Sequence, residues 1–215
     1  MKSKRIIMSL VGVIITAISI GAFKYAAFGV DPFQSFMSGI DTLIPIDFGT
    51  LYVIVNAILL LFALVFERHY IGIATFINLF LLGYVVEFSQ NMMLLLFPTP
   101  TVVIRILAFS CGFIALCFGS SLYITADMGV STYDAIALVC SEKWKLGKFR
   151  LVRISSDFLC IAIGIGLYLL GGGSADSISA FVNIGTILTA FCMGPLIDYF
   201  NRKVSVPLLH KYTLA

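Results

Sequence analysis

Apolar positions fall into six long runs, at about 6–28, 48–66, 70–88, 102–126, 151–170 and 178–200, each with few charged residues. A hydrocarbon core needs roughly 20 helical residues to cross it, so each run is long enough, or nearly so, to be a transmembrane helix. The pattern predicts an all-α polytopic membrane protein. Two shorter segments, 32–43 and 132–144, lie between spans and read as additional helices.

These two segments open on related motifs. Gly29-Val30-Asp31-Pro32-Phe33 returns one hundred residues later as Gly129-Val130-Ser131-Thr132-Tyr133. Further along, Thr75, Gly83, Glu87 and Phe88 fall on Thr186, Gly194, Asp198 and Tyr199 at an offset of 111, and Asn56 falls on Asp157 at 101. The Gly171–Asp176 stretch is a place for part of the intervening insertion. Three spans fill each copy, so the second must be upside down relative to the first, an arrangement that recurs in transporters. The chain divides accordingly into a first repeat (1–97), a second repeat (98–203) and a cytoplasmic tail (204–215).

Each motif reads as a broken helix. Gly29 can end the first span in a left-handed conformation. Asp31 then caps a new helix, with Pro32 at its first position and Gln34 completing a capping box. Gly129, the cap Ser131 and Asp134 repeat the logic. Two geometries satisfy the pattern. The short helices dip into the protein, where irregular backbone must be buried or line a wet cavity, or they lie at the membrane surface with Phe33, Phe36, Met37 and Ile40 as an interfacial face and Trp144 as an anchor.

Composition agrees with a life in lipid: 60% of residues are hydrophobic and 12% charged, where soluble chains carry about a quarter charged. The distribution of basic residues predicts orientation. With the N-terminus in the cytoplasm, inner segments hold Lys2, Lys4, Arg5, Arg68, Lys143, Lys145, Lys148, Arg150, Arg153, Arg202, Lys203 and Lys211, whereas Lys24 and Arg105 fall at outer ends of spans. Asp31, Asp41, Asp47 and Asp176 fall outside. Both termini are therefore expected in the cytoplasm. Lys2, Lys4 and Arg5 precede the first run, which reads as a retained signal anchor because five further spans follow it.

Asp157 is the most telling polar residue, because an uncompensated charge within a span costs at least a few kcal/mol. It is a candidate for proton or cation coupling, or one half of a structural pair with Arg153 a helical turn earlier. Glu87 and Asp198 occupy equivalent places near span ends and read as a structural acidic pair. Asn56, Asn78 and Asn183 are neutral polar groups at depth, suited to interhelical hydrogen bonds or to a solute.

The five cysteines, at 111, 117, 140, 160 and 192, form no C-x-x-C pair, and His69 and His210 stand apart from them. They are expected to pack as small apolar residues, with no metal or cofactor. No P-loop, Gly-x-Ser-x-Gly elbow or His-Glu-x-x-His pattern occurs, so the chain is not expected to be an enzyme. The basic stretch from Lys143 to Arg153 is explained by topology and anionic lipid rather than nucleic acid.

The Gly-Val-Asp-Pro and Gly-Val-Ser-Thr-Tyr-Asp loops, with Asn183-Ile184-Gly185-Thr186 and Gly194-Pro195-Leu196-Ile197-Asp198, resemble the YczE-like family of bacterial integral membrane proteins and, more distantly, the YitT-type proteins. The resemblance covers roughly 10–200 and implies a multi-pass protein of the bacterial inner membrane. It implies no catalytic residue. The expected function is a small secondary transporter or exporter of a small molecule. Asp31, Pro32, Phe33, Asn56, Ser131, Thr132, Tyr133 and Asp134 would bind or gate the solute, and Asp157 would couple its movement. Half-helix N-termini favour an anionic group on that solute. The competing class is a non-transporting membrane partner or scaffold for another complex. Lipids are expected around the spans, and a homodimer is reasonable because six spans make a thin wall.

Overall fold

The structure, a computed structural model, describes residues 2–147, 149–180 and 182–210. Lys148, Lys211 and the end of the expected tail, 211–215, lie outside the described residues, as does the side chain of Arg150. Every regular element described is helical: α1 (Lys2–Ala26), α2 (Pro32–Leu43), α3 (Phe48–Phe66), α4 (Ile73–Leu96), α5 (Val102–Ala126), α6 (Thr132–Leu138), α7 (Phe149–Leu170), α8 (Ile184–Phe200) and α9 (Val206–His210). Among the described residues, six segments are long and apolar enough to span a membrane, and these hold all or nearly all of α1, α3, α4, α5, α7 and α8. Val65, Leu95, Leu170 and Phe191 are strongly exposed on their outer faces, as lipid-facing side chains would be.

Two expected boundaries move. The stretch Met92–Phe97, which reads from sequence as an interfacial segment or an extended end of the third span, is mostly the latter, because Met92–Leu96 continue α4 to just before Pro98; this run contains only good helix formers. Residues 204–210 are not a free tail. A π-helical turn, Asn201–Ser205, links α8 to α9, and Asn201 and Ser205 bond back to α5 through Ser121 at 2.9 and 2.5 Å.

The bundle is built around α1 and α5, which lie antiparallel along each other. Their contacts are reciprocal at the offset of 100. A Cβ on Gly12 would sit 2.7 Å from the Gly119 carbonyl oxygen, and one on Gly112 would meet the Ser19 carbonyl at 3.3 Å. At one end, Arg5 donates to the Ala126 carbonyl at 3.0 Å. At the other, Arg105 donates to the Ala26 and Ala27 carbonyls at 2.6 and 3.0 Å. Each arginine thus satisfies carbonyls that a helix C-terminus leaves unpaired. Arg105 is a cap, with Phe28 4.7 Å beneath its guanidinium.

Beyond each capped end the chain reverses in the same way. Ala27 and Asp127 take left-handed φ values of +52° and +50°, followed by Gly29 at +98° and Gly129 at +110°. The left-handed turn expected at Gly29 therefore falls two residues earlier, and Gly29 supplies a second positive φ. There is no room for a side chain either: a Cβ at Gly29 would lie 2.6 Å from Thr186 Oγ1, and one at Gly129 would lie 2.7 Å from Thr75 Oγ1. The backbone seals both junctions, with Gly185 N–H donating to the Phe28 carbonyl and Ala74 N–H to the Met128 carbonyl.

The short helices are internal. Met37 is fully buried, Phe33 nearly so, and α2 runs along α7, while α6 packs on α3. Each short helix therefore lies against a span from the other half of the chain. Neither is a surface helix. The second is α-helical only to Leu138 and continues as a π-helical turn, Val139–Lys143. Trp144 follows it and packs edge-on against Phe62 and Phe66.

Candidate functional site

The second half supplies a charged cluster. Ser131 caps α6 by accepting the Asp134 N–H at 3.1 Å, and its hydroxyl donates to the Asp134 carboxylate at 2.7 Å. This turn fixes Asp134 and Tyr133 facing α7. There Arg153 pairs closely with Asp134 and lies 3.2 Å from Asp157, one turn along its own helix. Tyr133 donates its hydroxyl to Asp157 at 2.8 Å, and the Arg153 guanidinium sits 4.3 Å over the Tyr133 ring. The Arg153, Asp134 and Asp157 side chains are 26%, 38% and 19% exposed. In so apolar a setting each charge requires a partner, and one guanidinium shared by two carboxylates leaves a net negative charge.

The first half supplies one carboxylate, Asp31, and neutral groups, Gln34, Tyr52 and Asn56, where the second half has Asp134, Arg153 and Asp157. Asp31 caps α2, accepting the Gln34 N–H at 3.1 Å, with Pro32 in the first turn. The capping box expected with Gln34 is incomplete: Gln34 is buried, and its Oε1 has no hydrogen-bond partner among the described residues. The side chain instead lines the cavity between the two halves. Tyr52 donates to Asn78 Oδ1 at 3.3 Å, and Asn56 donates to the Tyr52 carbonyl at 2.8 Å. The halves meet where the Phe33 and Tyr133 rings stack with centroids 5.0 Å apart.

Between them is a cavity of about 390 Å³, within the range of small-molecule sites. Of the residues singled out from sequence, Asp31, Pro32, Phe33, Asn56, Ser131, Tyr133, Asp134 and Asp157 line it. Thr132 instead ties α6 to α3 by donating its hydroxyl to Asn56. Glu87 and Asp198 lie elsewhere and differ from each other: Glu87 accepts the Gly49 N–H at the start of α3 at 3.1 Å, whereas Asp198 forms an exposed pair with Arg202. Asn183 caps α8 through the Ile184 N–H.

Sequence reasoning missed Gln34, Tyr123 and the full role of Arg153, all of which line the cavity. Arg153 was visible as the neighbour of Asp157, but its pairing with Asp134 arises only when α6 and α7 pack together. Arg5 and Arg105 carry a signal that could have been found, because their separation is the offset of the repeat.

The chain is 26% identical over 207 residues to the "Uncharacterized membrane protein YczE" of Bacillus subtilis (strain 168), covering 95% of this chain and 87% of the relative. It is also 23% identical over 203 residues to an "Uncharacterized protein" of Haemophilus influenzae, covering 94% and 85%. No solved structure matches with significance. The profile described as "Family of unknown function (DUF6198)" matches residues 3–202, and this multi-pass membrane protein belongs to that family.

Proposed function

We propose that the chain is a small secondary transporter of a polar small molecule, working by alternating access between two inverted three-helix repeats, 1–97 and 98–203. The observation that carries this reading is the central cavity: both halves wall it, and both broken-helix motifs open on it. The reciprocal contacts of α1 with α5, and the exchange that sets α2 on α7 and α6 on α3, support two halves able to rock about a shared axis. Asp157, held by Arg153 and Tyr133, acts as a fixed part of this wall, and Asp31 is the better candidate for a group that changes partner during transport.

Arg5, Arg68, Lys143 and Arg202 gather at the end of the bundle where α5 finishes, through contacts with Ala126, Leu64, Phe66 and Asp198. The positive-inside bias makes that end cytoplasmic, in a bacterial inner membrane. The reading is tested with the purified full chain in liposomes, by electrical or radiotracer flux over a library of polar metabolites with solute, proton and sodium gradients. Saturable movement of a subset, lost in Arg153→Met, is expected. No movement under any gradient contradicts transport and favours the scaffold role.

A further inference from the structure

The wall of the cavity carries three carboxylates, Asp31, Asp134 and Asp157, against one guanidinium, Arg153. Arg153 is engaged by Asp134 and Asp157. Asp31 feels the Arg153 charge but has no ion pair within 4 Å among the described residues, and the N–H groups it accepts, at Gln34 and Phe33, belong to its own helix. Its carboxylate therefore has unfilled acceptor positions facing the cavity.

A second observation is independent of charge. Gln34 Oε1, on a residue 2% exposed, and the Tyr123 hydroxyl, on a residue 8% exposed, are buried and unpartnered among the described residues, and both residues line the cavity. A buried acceptor without a donor is costly. Its presence beside Asp31 marks a place where a ligand brings the N–H.

The half-helix N-termini do not offer the same welcome to an anion. Asp31 occupies the start of α2, and Ser131 with Asp134 occupies the start of α6. Aromatic rings complete the setting: Phe33 stacks on Tyr133 and stands edge-on to Tyr52 at 6.1 Å.

Building on the transporter reading of this cavity, we infer that its solute is a small organic cation bearing an ammonium group, held by the Asp31 carboxylate and the Gln34 side-chain carbonyl. The ammonium supplies donors where the wall supplies acceptors. Its charge offsets the excess of carboxylate. Tyr123 contacts the polar remainder of the solute from the α5 side.

The test uses the full chain in lipid nanodiscs, with n-butylammonium as probe and butyrate as its size-matched anion, read by equilibrium dialysis and by the thermal unfolding midpoint. Butylammonium should bind saturably and raise the midpoint; butyrate should do neither. Asp31→Asn should lower the affinity about tenfold or more while leaving the ligand-free midpoint near that of the parent, because asparagine keeps the helix cap. Gln34→Leu should weaken binding several-fold. If Asp31→Asn fails to fold, Asp31→Ser takes its place, serine being the cap of the second half. Equal or tighter binding of butyrate, no binding of butylammonium, or binding untouched by both substitutions would overturn the inference. Binding in nanodiscs needs no flux, so ammonium binding without transport sinks the transporter reading alone. Transport of an anion without ammonium binding sinks only this inference.

Discussion

The two halves of the molecule share a scaffold and differ in what they put on it. At equivalent places the first half presents Gln34, Tyr52 and Asn56, and the second presents Asp134, Arg153 and Asp157. The parts that shape the backbone have stayed alike: an arginine on the carbonyl end of the opposing helix, a left-handed residue, a glycine at positive φ, and a threonine at the start of α4 or α8. Capping and close approach leave little freedom, because a lost cap or an added Cβ is penalised whatever the cavity does. Cavity-facing groups carry no such backbone constraint, and they are the ones that differ between the halves.

That contrast can be broken most forcefully at Arg153. Arg153→Met leaves Asp134 and Asp157 without their cation and should cost about 2–3 kcal/mol, less than for a fully buried pair because these side chains are partly exposed. The loss should appear as a lower unfolding midpoint in nanodiscs. The triple variant Asp134→Gln, Arg153→Tyr, Asp157→Asn, which copies the first half into the second, should recover most of that loss because no charge is left unpaired. Failure to recover would mean that the halves are not interchangeable in shape.

Gly129→Ala and Gly29→Ala test the shared turn. Both force a side chain into positive φ, which costs about 1–3 kcal/mol, and both meet a wall of neighbours. Gly129→Ala should be the worse by thermal unfolding, since the nearest atoms are backbone of Gly72 rather than a threonine hydroxyl. Smaller effects come from the caps. Arg105→Met, losing two carbonyl contacts and the Phe28 ring, should cost about 2 kcal/mol, and Arg5→Met about 1 kcal/mol because its further partner Asp127 is largely in solvent. At the low end, Tyr52→Phe removes one long hydrogen bond to Asn78 and should cost about 0.5–1 kcal/mol in the same assay.

Much of the fold was legible because span length and turn chemistry are local. Asp31 before Pro32 and Ser131 before Asp134 announce helix starts at the residues where they occur. The ends of α4 and α8 were harder, since Met92–Leu96 and Asn201–Ser205 carry no breaker and their fate depends on neighbouring helices. The site was legible as a set of motif residues and illegible as an arrangement. Nothing near Asp134 in the chain foretells Arg153, nineteen residues on, and Gln34, which reads as a cap, has a buried side chain whose oxygen is unpartnered among the described residues. The anionic preference expected from helix N-termini rests on free N–H groups, and the caps Asp31 and Ser131 already take one at each start, from Gln34 and Asp134.

Sided cysteine labelling of Ala27→Cys and Asp127→Cys, in full chains whose five native cysteines have been replaced, reaches the central claim most directly. These two equivalent residues end the antiparallel helices α1 and α5. A membrane-impermeant maleimide should label Asp127→Cys from the cytoplasmic side alone and Ala27→Cys from the opposite side alone. Labelling of both from one side would contradict a pair of inverted halves enclosing a common cavity.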